Sequence, residues 1–320
     1  MFDLLNVLKD AKTIGISGHI RPDGDCVGST MAMYMYLTKV FAGKRIDIFL
    51  EPVPEAYSCI SRLDEIRTDF ATDVEKYDAF IVIDCDHTRI GQAQPYFENA
   101  GLKINVDHHI SNEGCGDINY IVPKASSACE LVFDLVKEDG LDKDIALSLY
   151  LGMIHDCGVF QYSNTSPKTL QTAAKLIAYD FDFSKIIEET FYQKTYKQNL
   201  LLGKAVTDSH LLLDGHAIYS VVSKKMMEEY DAKSSDLDGI VNQLRNTKGV
   251  DCAIFMYEME DGSYKVSMRS NENVNVSVIA KEFGGGGHIK AAGVTMNGTA
   301  SEIVSKLADL IGEQLKLLKA

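Results

Sequence analysis

Short apolar segments alternate with longer segments of helical periodicity through the first half of the chain. The short segments each contain Ile and are bounded by turn-forming residues; they are residues 13–17, 46–50, 79–83 and 102–106. Nearly continuous runs of this kind are typical of strands buried on both faces of a parallel sheet. Apolar residues recur at three- and four-residue spacing, which predicts helices, in residues 27–41, 126–137, 144–156 and 167–179. The first half therefore predicts a mostly parallel βαβ sheet.

The hydrophobic pattern changes near residue 180, where charged, polar and aromatic residues follow one another and no strand-like apolar segment occurs. We expect a helical linker over residues 184–204, between a larger domain at 1–183 and a smaller one at 205–320. Beyond the linker, the pattern predicts strands at residues 211–222, 250–258 and 264–269, and helices at 237–245 and 301–318. The predicted fold class is α/β, with a parallel-sheet domain joined by the linker to a smaller α+β domain.

Composition and charge narrow the functions that this fold can serve. The 320 residues are 46% hydrophobic and 24% charged, as in soluble globular proteins. Thirty-two basic against 46 acidic residues give a net charge of −14, which disfavours a broad cationic face for long duplex nucleic acid. The seven cysteines show no CxxC spacing, and neither a signal peptide nor an apolar run of membrane-spanning length is evident. We expect a cytoplasmic protein with reduced thiols and no membrane partner.

Acidic and histidine residues follow several of the predicted strands. They are His19, Asp23 and Asp25 after the first strand, Asp84 after the third, and Asp107, His108 and His109 after the fourth. Because ligands of parallel sheets bind beyond the carboxyl ends of the strands, we expect these side chains to converge. Asp156 ends a predicted helix just before Gly158 and is a further candidate for the same place.

So many carboxylates in one place disfavour ionisation unless cations lie among them. A mixed carboxylate and imidazole set suits Mn²⁺, Mg²⁺ or Fe²⁺ better than a structural zinc cage, and the number of ligands allows two ions. Cys26, Cys85 and Cys157 each follow a candidate ligand directly. Since adjacent strand residues point to opposite faces, we interpret these thiols as small buried side chains rather than ligands.

The motifs resemble those of a known family. His19-x-x-x-Asp23-Gly-Asp25, the lone Asp84, Asp107-His108-His109 and Asp156 match, in order, the motifs of the DHH phosphoesterase superfamily. Arg269, the run Gly285-Gly286-Gly287-His288 and the following Ala291-Ala292-Gly293 resemble its DHHA1 domain. The resemblance covers essentially the whole chain. It is strongest to NrnA-type oligoribonucleases (nano-RNases), which also take 3′-phosphoadenosine 5′-phosphate (PAP), and to phosphodiesterases of cyclic-dinucleotide pathways.

The resemblance implies two metal ions, most simply Mn²⁺, with Asp84 bridging them. The ligands would be His19, Asp23 and Asp84 for one ion, and Asp25, Asp84, His108 and Asp156 for the other. Asp107 would orient an imidazole, and His109 would face the scissile phosphate as a hydrogen-bond donor or proton carrier. Asp86 and His87 are two further potential ligands that depart from the family pattern, and we leave them out of the metal set.

The resemblance also assigns substrate binding to the second domain. Consecutive N–H groups of Gly285, Gly286 and Gly287 can form an anion-binding nest, and His288 and Arg269 can add charge-assisted bonds to a phosphate. Asn112, shortly after His109, is a further candidate contact. One local phosphate pocket in an acidic protein predicts a short nucleotide substrate.

The sequence therefore predicts a metal-dependent phosphodiesterase that hydrolyses short oligoribonucleotides and linear dinucleotides to mononucleotides, with PAP as a further substrate. Cleavage of intact cyclic dinucleotides is the alternative enzymatic hypothesis. A nucleotide-binding sensor that has lost catalysis is the non-enzymatic one. The oligomeric state is left open, with a homodimer as one option.

Overall fold

The protein is described here by a computed structural model of residues 2–317, in which two structural units meet at the bond between Gln193 and Lys194. This bond lies inside residues 184–204, the segment expected to be a linker. A helix, a π-helical turn and the beginning of a second helix occupy that segment. Each unit has its own hydrophobic core.

Five parallel strands form the sheet of the first unit, in the order β2-β1-β3-β4-β5. They are β1 Thr13–Ser17, β2 Arg45–Phe49, β3 Ala79–Ile83, β4 Leu102–Asp107 and β5 Ile118–Ile121. The expected parallel sheet is confirmed, and the first four strands lie within one residue of their predicted bounds. β5 was missed because it is a half-exposed edge strand without a continuous apolar run.

The helices of the first unit cover this sheet. They are α1 Leu4–Leu8, α2 Gly24–Val40, α3 Gln94–Asn99, α4 Ala128–Leu135, α5 Lys143–Asp156, α6 Pro167–Ile177 and α7 Phe183–Ile187. α2 is buried on all sides from its first residue to Leu37, as expected of a central helix. Two glycines let α2 and α5 approach closely: a Cβ at Gly28 would lie 2.4 Å from the Ser148 carbonyl oxygen, and one at Gly152 would lie 2.9 Å from that of Gly24.

The order of the strands fixes where a ligand can bind. β1 is paired with β2 on one side and with β3 on the other, so the chain reverses its direction of progress through the sheet between β1 and β3. Loops that leave β1 and β3 at their carboxyl ends therefore diverge and leave a crevice, which is the usual ligand site of such sheets. The loops after β1 and β3 carry His19 and Asp84.

The second unit is a mixed six-stranded sheet in the order β10-β11-β9-β8-β7-β6. Its strands are β6 His210–Leu212, β7 Ala217–Val222, β8 Cys252–Glu258, β9 Tyr264–Ser270, β10 Gly286–His288 and β11 Ala291–Met296. Its helices are α8 Tyr196–Thr207, α9 Lys224–Glu229, α10 Ile240–Arg245, α11 Val276–Glu282 and α12 Ala300–Leu317. Only β7 and β8 pair in parallel; the other neighbours are antiparallel. The expected α+β architecture is confirmed.

Three local predictions in this unit need correction. The single strand expected at 211–222 is two antiparallel strands, because Leu213, Asp214 and Gly215 all have positive φ and turn the chain. The glycine run and the segment after it form β10 and β11, which carry too little apolar periodicity to be predicted. The helix expected at 301–318 begins at Ala300, and its last predicted residue, Leu318, lies outside the described residues.

Across residues 2–317, every helix is too short or too polar to cross a membrane. All seven cysteines lie in this range and none forms a disulfide.

Candidate active site

The loop after β1 and the first turn of α2 supply three of the candidate side chains, His19, Asp23 and Asp25. Asp23 is the N-cap of α2, and its Oδ1 accepts hydrogen bonds from the backbone N–H groups of Asp25 and Cys26, both at 3.1 Å. The Nδ1 atom of His19 lies 2.9 Å from the Ile20 carbonyl oxygen, which can only accept a hydrogen bond. This contact leaves Nε2 of His19 to face the cluster of acids, the arrangement usual for a metal-binding imidazole.

Asp84 lies at the centre of the cluster. It follows β3 with φ at +66°, a left-handed conformation that costs free energy in a residue other than glycine and is often found at functional sites. Its side chain is almost fully buried, yet Oδ1 has no hydrogen-bond partner among the described residues. Oδ2 lies 3.4 Å from Nε2 of His19, and Oδ1 lies 3.5 Å from Nε2 of His108. The two oxygens of one carboxylate thus face two different imidazoles.

Asp25 and Asp156 complete the group around His108. Nε2 of His108 is 3.8 Å from Oδ2 of Asp25 and 3.5 Å from Oδ2 of Asp156. The close packing of α2 on α5 brings the two aspartates together. Asp25 is also held by the N-terminus of α4, since its oxygens accept from the N–H groups of Ala128 at 2.6 Å and Cys129 at 2.9 Å.

The residues after β4 form a hydrogen-bonded chain around Asp107. Oδ1 of Asp107 lies 2.8 Å from Nδ1 of His109 and accepts from the backbone N–H of both histidines. Oδ2 accepts from Nδ2 of Asn112 at 2.6 Å, and the same Nδ2 lies 3.0 Å from Oδ1 of the buried Asn105. Asp107 is therefore positioned to orient the His109 ring, and its role in the reaction stays a prediction. Asn112 supports Asp107 in this structure, and its assignment to substrate stays a prediction.

Burial and nearby negative charge shift the pKa values of His19 and His108 in opposite directions. Burial alone would lower the pKa of His19, but the carboxylates of Asp23 and Asp84 outweigh it and raise the pKa to about 10. For His108, burial again lowers the pKa, and Asp84, Asp25 and Asp156 together raise it to about 10. The surrounding carboxylates therefore stabilise the protonated form of both imidazoles.

The same excess of negative charge shifts the pKa values of the carboxyl groups. Burial and the nearby Asp84 and Asp23 raise the pKa of Asp156 to about 6, although His108 opposes them. Burial raises the pKa of Asp25 well above its ordinary value, with Asp84 and Asp156 adding to the effect. The carboxylates of the cluster carry more negative charge than its histidines neutralise.

These residues fit divalent cations. The N···O separations of 3.4–3.8 Å between the two histidines and the carboxylates are longer than hydrogen bonds. They are close to the roughly 3.0–3.4 Å between two ligands that each lie about 2.1 Å from one ion. Suitable donor atoms of Asp25, His108 and Asp156 lie within 4.8 Å of one another, and Nε2 of His19 lies 3.6 Å from Oδ1 of Asp23 and 3.4 Å from Oδ2 of Asp84. The partnerless Oδ1 of Asp84 is the buried atom that an ion would satisfy.

The cysteines beside the candidate ligands are buried, as the sequence indicated. Cys85 packs in a second apolar cluster with Phe80 and Phe97. Cys26 does border the cluster, but burial raises the pKa of its thiol well above the ordinary value, which disfavours the thiolate that metals bind. Of the two extra candidates, Asp86 caps the turn at His87–Arg89 and the His87 ring stacks on Phe97.

The predicted phosphate-binding residues lie together in the second unit. Arg269 on β9 pairs with Ala291 on β11, which in turn pairs with His288 on β10. Residues directly opposite one another share a face of the sheet, so Arg269 and His288 flank a single small alanine. Gly287 has φ at +144°, and a Cβ there would lie 2.3 Å from the Ala291 carbonyl oxygen. A Cβ at Gly286 would meet nothing within 4 Å.

Two features that support the candidate ligands were not predicted from the sequence. Asn105 is a fully buried amide whose Nδ2 donates to the carbonyl oxygens of Val82 and Cys85, so it ties the end of β3 to Asn112. A polar residue inside an apolar strand segment was the available signal. The contact between Asp25 and the N-terminus of α4 leaves no local sequence pattern, because the two are about a hundred residues apart in sequence.

The protonated histidines predict how the stability of the metal-free protein depends on pH. A histidine whose pKa rises from 6.5 to about 10 on folding stabilises the native state below pH 6.5 and loses that contribution as the pH rises towards 10. We expect the Tm of the metal-free protein to fall by roughly 5 °C or more between pH 7 and pH 9, measured by circular dichroism. The double variant His19→Gln, His108→Gln should show a smaller fall; an equal fall would contradict the assignment.

Comparisons with known proteins agree with this fold. Residues 13–153 match the model of the DHH family, N-terminal domain, and residues 214–317 match the DHHA1 domain. The bifunctional oligoribonuclease and PAP phosphatase NrnA of Bacillus subtilis is 28% identical over 300 residues, which cover 92% of this chain and 92% of that protein. Its namesake from Thermus thermophilus is 27% identical over 309 residues, covering 94% of this chain and 90% of that protein.

Among solved structures, an exopolyphosphatase-related protein from Bacteroides fragilis matches with a TM-score of 0.90 and 25% identity, over 98% of this chain and 96% of that chain. The fold, the site and the relatives together define a hydrolase that acts on phosphoester bonds. Within that class, the chain carries a DHH family domain at residues 13–153 and a DHHA1 domain at residues 214–317. The family predicted from the motifs is confirmed.

Proposed function

We propose that this protein is a Mn²⁺-dependent phosphodiesterase that hydrolyses short oligoribonucleotides and linear dinucleotides to mononucleotides, with PAP as a second substrate. The observation that carries the proposal is Asp84, a buried carboxylate whose two oxygens face His19 on one side and His108 on the other. This geometry suits one carboxylate shared by two ions, the arrangement used by two-metal hydrolases of phosphoesters.

The proposed ligand sets follow the two sides of Asp84. His19 and Asp23 would hold one ion with Oδ2 of Asp84, while Asp25, His108 and Asp156 would hold the other with Oδ1. When bound, such ions supply a water nucleophile at neutral pH and stabilise charge on the phosphoryl oxygens. Asp25 keeps its place without an ion, because the N-terminus of α4 already binds both of its oxygens.

His109 is the proposed proton donor to the leaving oxygen. Its Nδ1 hydrogen-bonds to Asp107, and this bond raises the pKa of the imidazole above its ordinary value. Asn112 anchors Asp107 from the opposite side. The backbone N–H groups of both histidines donate to the same carboxylate, which makes the imidazole a well-positioned acid.

Arg269, Gly285, Gly286, Gly287 and His288 are the proposed phosphate-binding residues of the substrate. Arg269 and His288 lie on one sheet face on either side of Ala291, and the small methyl group leaves room between the two side chains. A guanidinium group is suited to bidentate recognition of a phosphate. The net charge of −14 supports a short substrate, since cationic groups confined to such a pocket contact few phosphates. The names of the Bacillus and Thermus relatives, oligoribonuclease and PAP phosphatase, support the same substrate class.

A turnover panel on Mn²⁺-loaded protein tests the proposal. The substrates are a 5′-phosphorylated linear diadenylate, cyclic diadenylate, PAP, pyrophosphate and inorganic tripolyphosphate. Tripolyphosphate is included because of the exopolyphosphatase-related structure. We expect the linear dinucleotide to be cleaved with the highest kcat/KM, because a site that binds a terminal phosphate favours a substrate with a free end.

The other outcomes distinguish the remaining hypotheses. Preference for cyclic diadenylate would replace the proposal by a cyclic-dinucleotide phosphodiesterase. Preference for pyrophosphate or tripolyphosphate would remove nucleotides from the substrate class. Tight binding of the linear dinucleotide without turnover, in protein whose metal content has been restored and measured, would favour a sensor without catalysis.

A further inference from the structure

A row of aromatic rings extends from the candidate active site and has no part in the chemistry proposed above. Tyr57 contacts His155 edge to face with ring centroids 5.1 Å apart, and His155 contacts Phe191 at 5.5 Å. Phe191 contacts Tyr192 at 5.2 Å with the ring planes at 81°. We call these four side chains the aromatic row. All four belong to the first unit.

His155, an inner member of the aromatic row, packs against the backbone of the candidate metal loop. A Cβ at Gly24 would lie 2.6 Å from Cγ of His155, so the imidazole packs directly on the residue between Asp23 and Asp25. His155 also precedes Asp156 on α5. Nε2 of His155 lies 3.0 Å from Oγ1 of Thr190, whose own hydroxyl donates to the Ile186 carbonyl oxygen. These bonds fix the ring in place, which argues for a rigid surface beside the cluster.

The far end of the row is open to solvent. Tyr192 exposes 53% of its surface, although a large aromatic side chain gains most from burial. Its hydroxyl accepts a hydrogen bond from Nε2 of Gln161 at 3.3 Å, which restrains the ring without covering it. Phe191 and Tyr192 lie in a π-helical turn, Glu188–Tyr192, a conformation that is rare and concentrated at functional sites.

We propose that the aromatic row is a nucleobase-binding site, on which a base adjacent to the scissile phosphate stacks, with Tyr192 as its exposed platform. The inference rests on the proposed function, because it assumes a nucleotide substrate. Aromatic side chains stack with any base, so such a site is tolerant of sequence. The same turn carries Glu188 and Glu189, which repel phosphate and favour an uncharged base as the occupant.

The test compares two Tyr192 variants on three substrates. The substrates are 5′-phosphorylated diadenylate and two analogues, each with one of the two bases replaced by hydrogen. For Tyr192→Leu we expect KM on diadenylate to rise about 5- to 150-fold, the range that follows from stacking of about 1–3 kcal/mol per base, with kcat nearly unchanged. Tyr192→Phe keeps the ring and should retain the wild-type KM. Phe183→Leu, which removes another exposed ring at the start of α7, is the matched control and should have no effect.

The analogues distinguish loss of base stacking from other causes of a higher KM. The KM increase caused by Tyr192→Leu should disappear on the analogue that lacks the stacked base and persist on the other, as a thermodynamic cycle requires for two groups in contact. An unchanged KM on diadenylate, or an equal increase on all three substrates, would overturn the inference and leave the proposed function intact. Failure of the wild-type protein to cleave any of the three would instead overturn the proposed function, and the inference with it.

Discussion

Replacement of Asp84 by asparagine should lower kcat for a linear dinucleotide by about a thousandfold or more, because the carboxylate shared by both ligand sets loses its charge. Metal ions contribute several kcal/mol of transition-state stabilisation, and each 1.36 kcal/mol changes the rate tenfold. Asparagine has the same shape, and its one carbonyl oxygen can face only one of His19 and His108, where Asp84 faces both. The measurements are kcat in Mn²⁺-replete buffer and bound manganese by atomic absorption.

Asp86→Asn is the matched control for this prediction. Asp86 follows the same strand two residues later, but its carboxylate caps a turn by accepting from the N–H of Thr88. We expect this variant to keep kcat within a few-fold of wild type and to bind the same amount of manganese. A circular dichroism spectrum should show both variants folded. A nearly wild-type rate for Asp84→Asn in replete buffer would refute the shared-carboxylate site.

The fold of the first unit could be predicted because its strands are buried on both faces. β1 and β3 have the bounds that were expected; β3 is an unbroken apolar run, and β1 is buried at all but its first residue. β5 and the second-unit strand β11 alternate with polar or small residues, and such patterns are shared by loops. Their pairing depends on neighbours distant in sequence, which a local pattern does not contain.

The candidate metal site could be predicted for a related reason. Parallel strands deliver the residues that follow them to one edge, so His19, Asp84 and His108 were expected to converge once the strands were located. Their supports were not predictable in this way. The α4 amides that bind Asp25 and the Asn105–Asn112 link depend on packing of α4 and on the turn after β4, and both are tertiary contacts.

The glycine run shows how two explanations of one motif can both apply. The sequence suggested that the glycines allow a phosphate to approach the backbone. In the structure, Gly285 and Gly287 are also required by β11, since a Cβ at either would lie under 2.5 Å from a carbonyl oxygen of that strand. Gly286 faces open space, so of the three it is the position where a substrate phosphate can approach without displacing protein atoms.

Replacement of His109 by glutamine should lower kcat for the linear dinucleotide by about 10²- to 10⁴-fold, the usual contribution of a positioned general acid. The hydrogen bond from Nδ1 to Asp107, at 2.8 Å, raises the pKa of this imidazole above its ordinary value, and burial only partly opposes the effect. Glutamine can still donate a hydrogen bond, but it cannot transfer a proton to the leaving oxygen. The variant should therefore keep its KM and its bound manganese.

The leaving group distinguishes proton transfer from simple loss of packing. A nucleotide p-nitrophenyl ester releases a phenolate that needs little protonation, so His109→Gln should lower kcat on this ester by less than about tenfold. Asn112→Ala is the companion variant, since it removes the amide that anchors Asp107 but leaves the imidazole in place. We expect it to show a smaller loss on the dinucleotide, again nearly absent on the ester. Equal losses on both substrates for His109→Gln would show that the imidazole contributes through contacts with the phosphate and not as the acid.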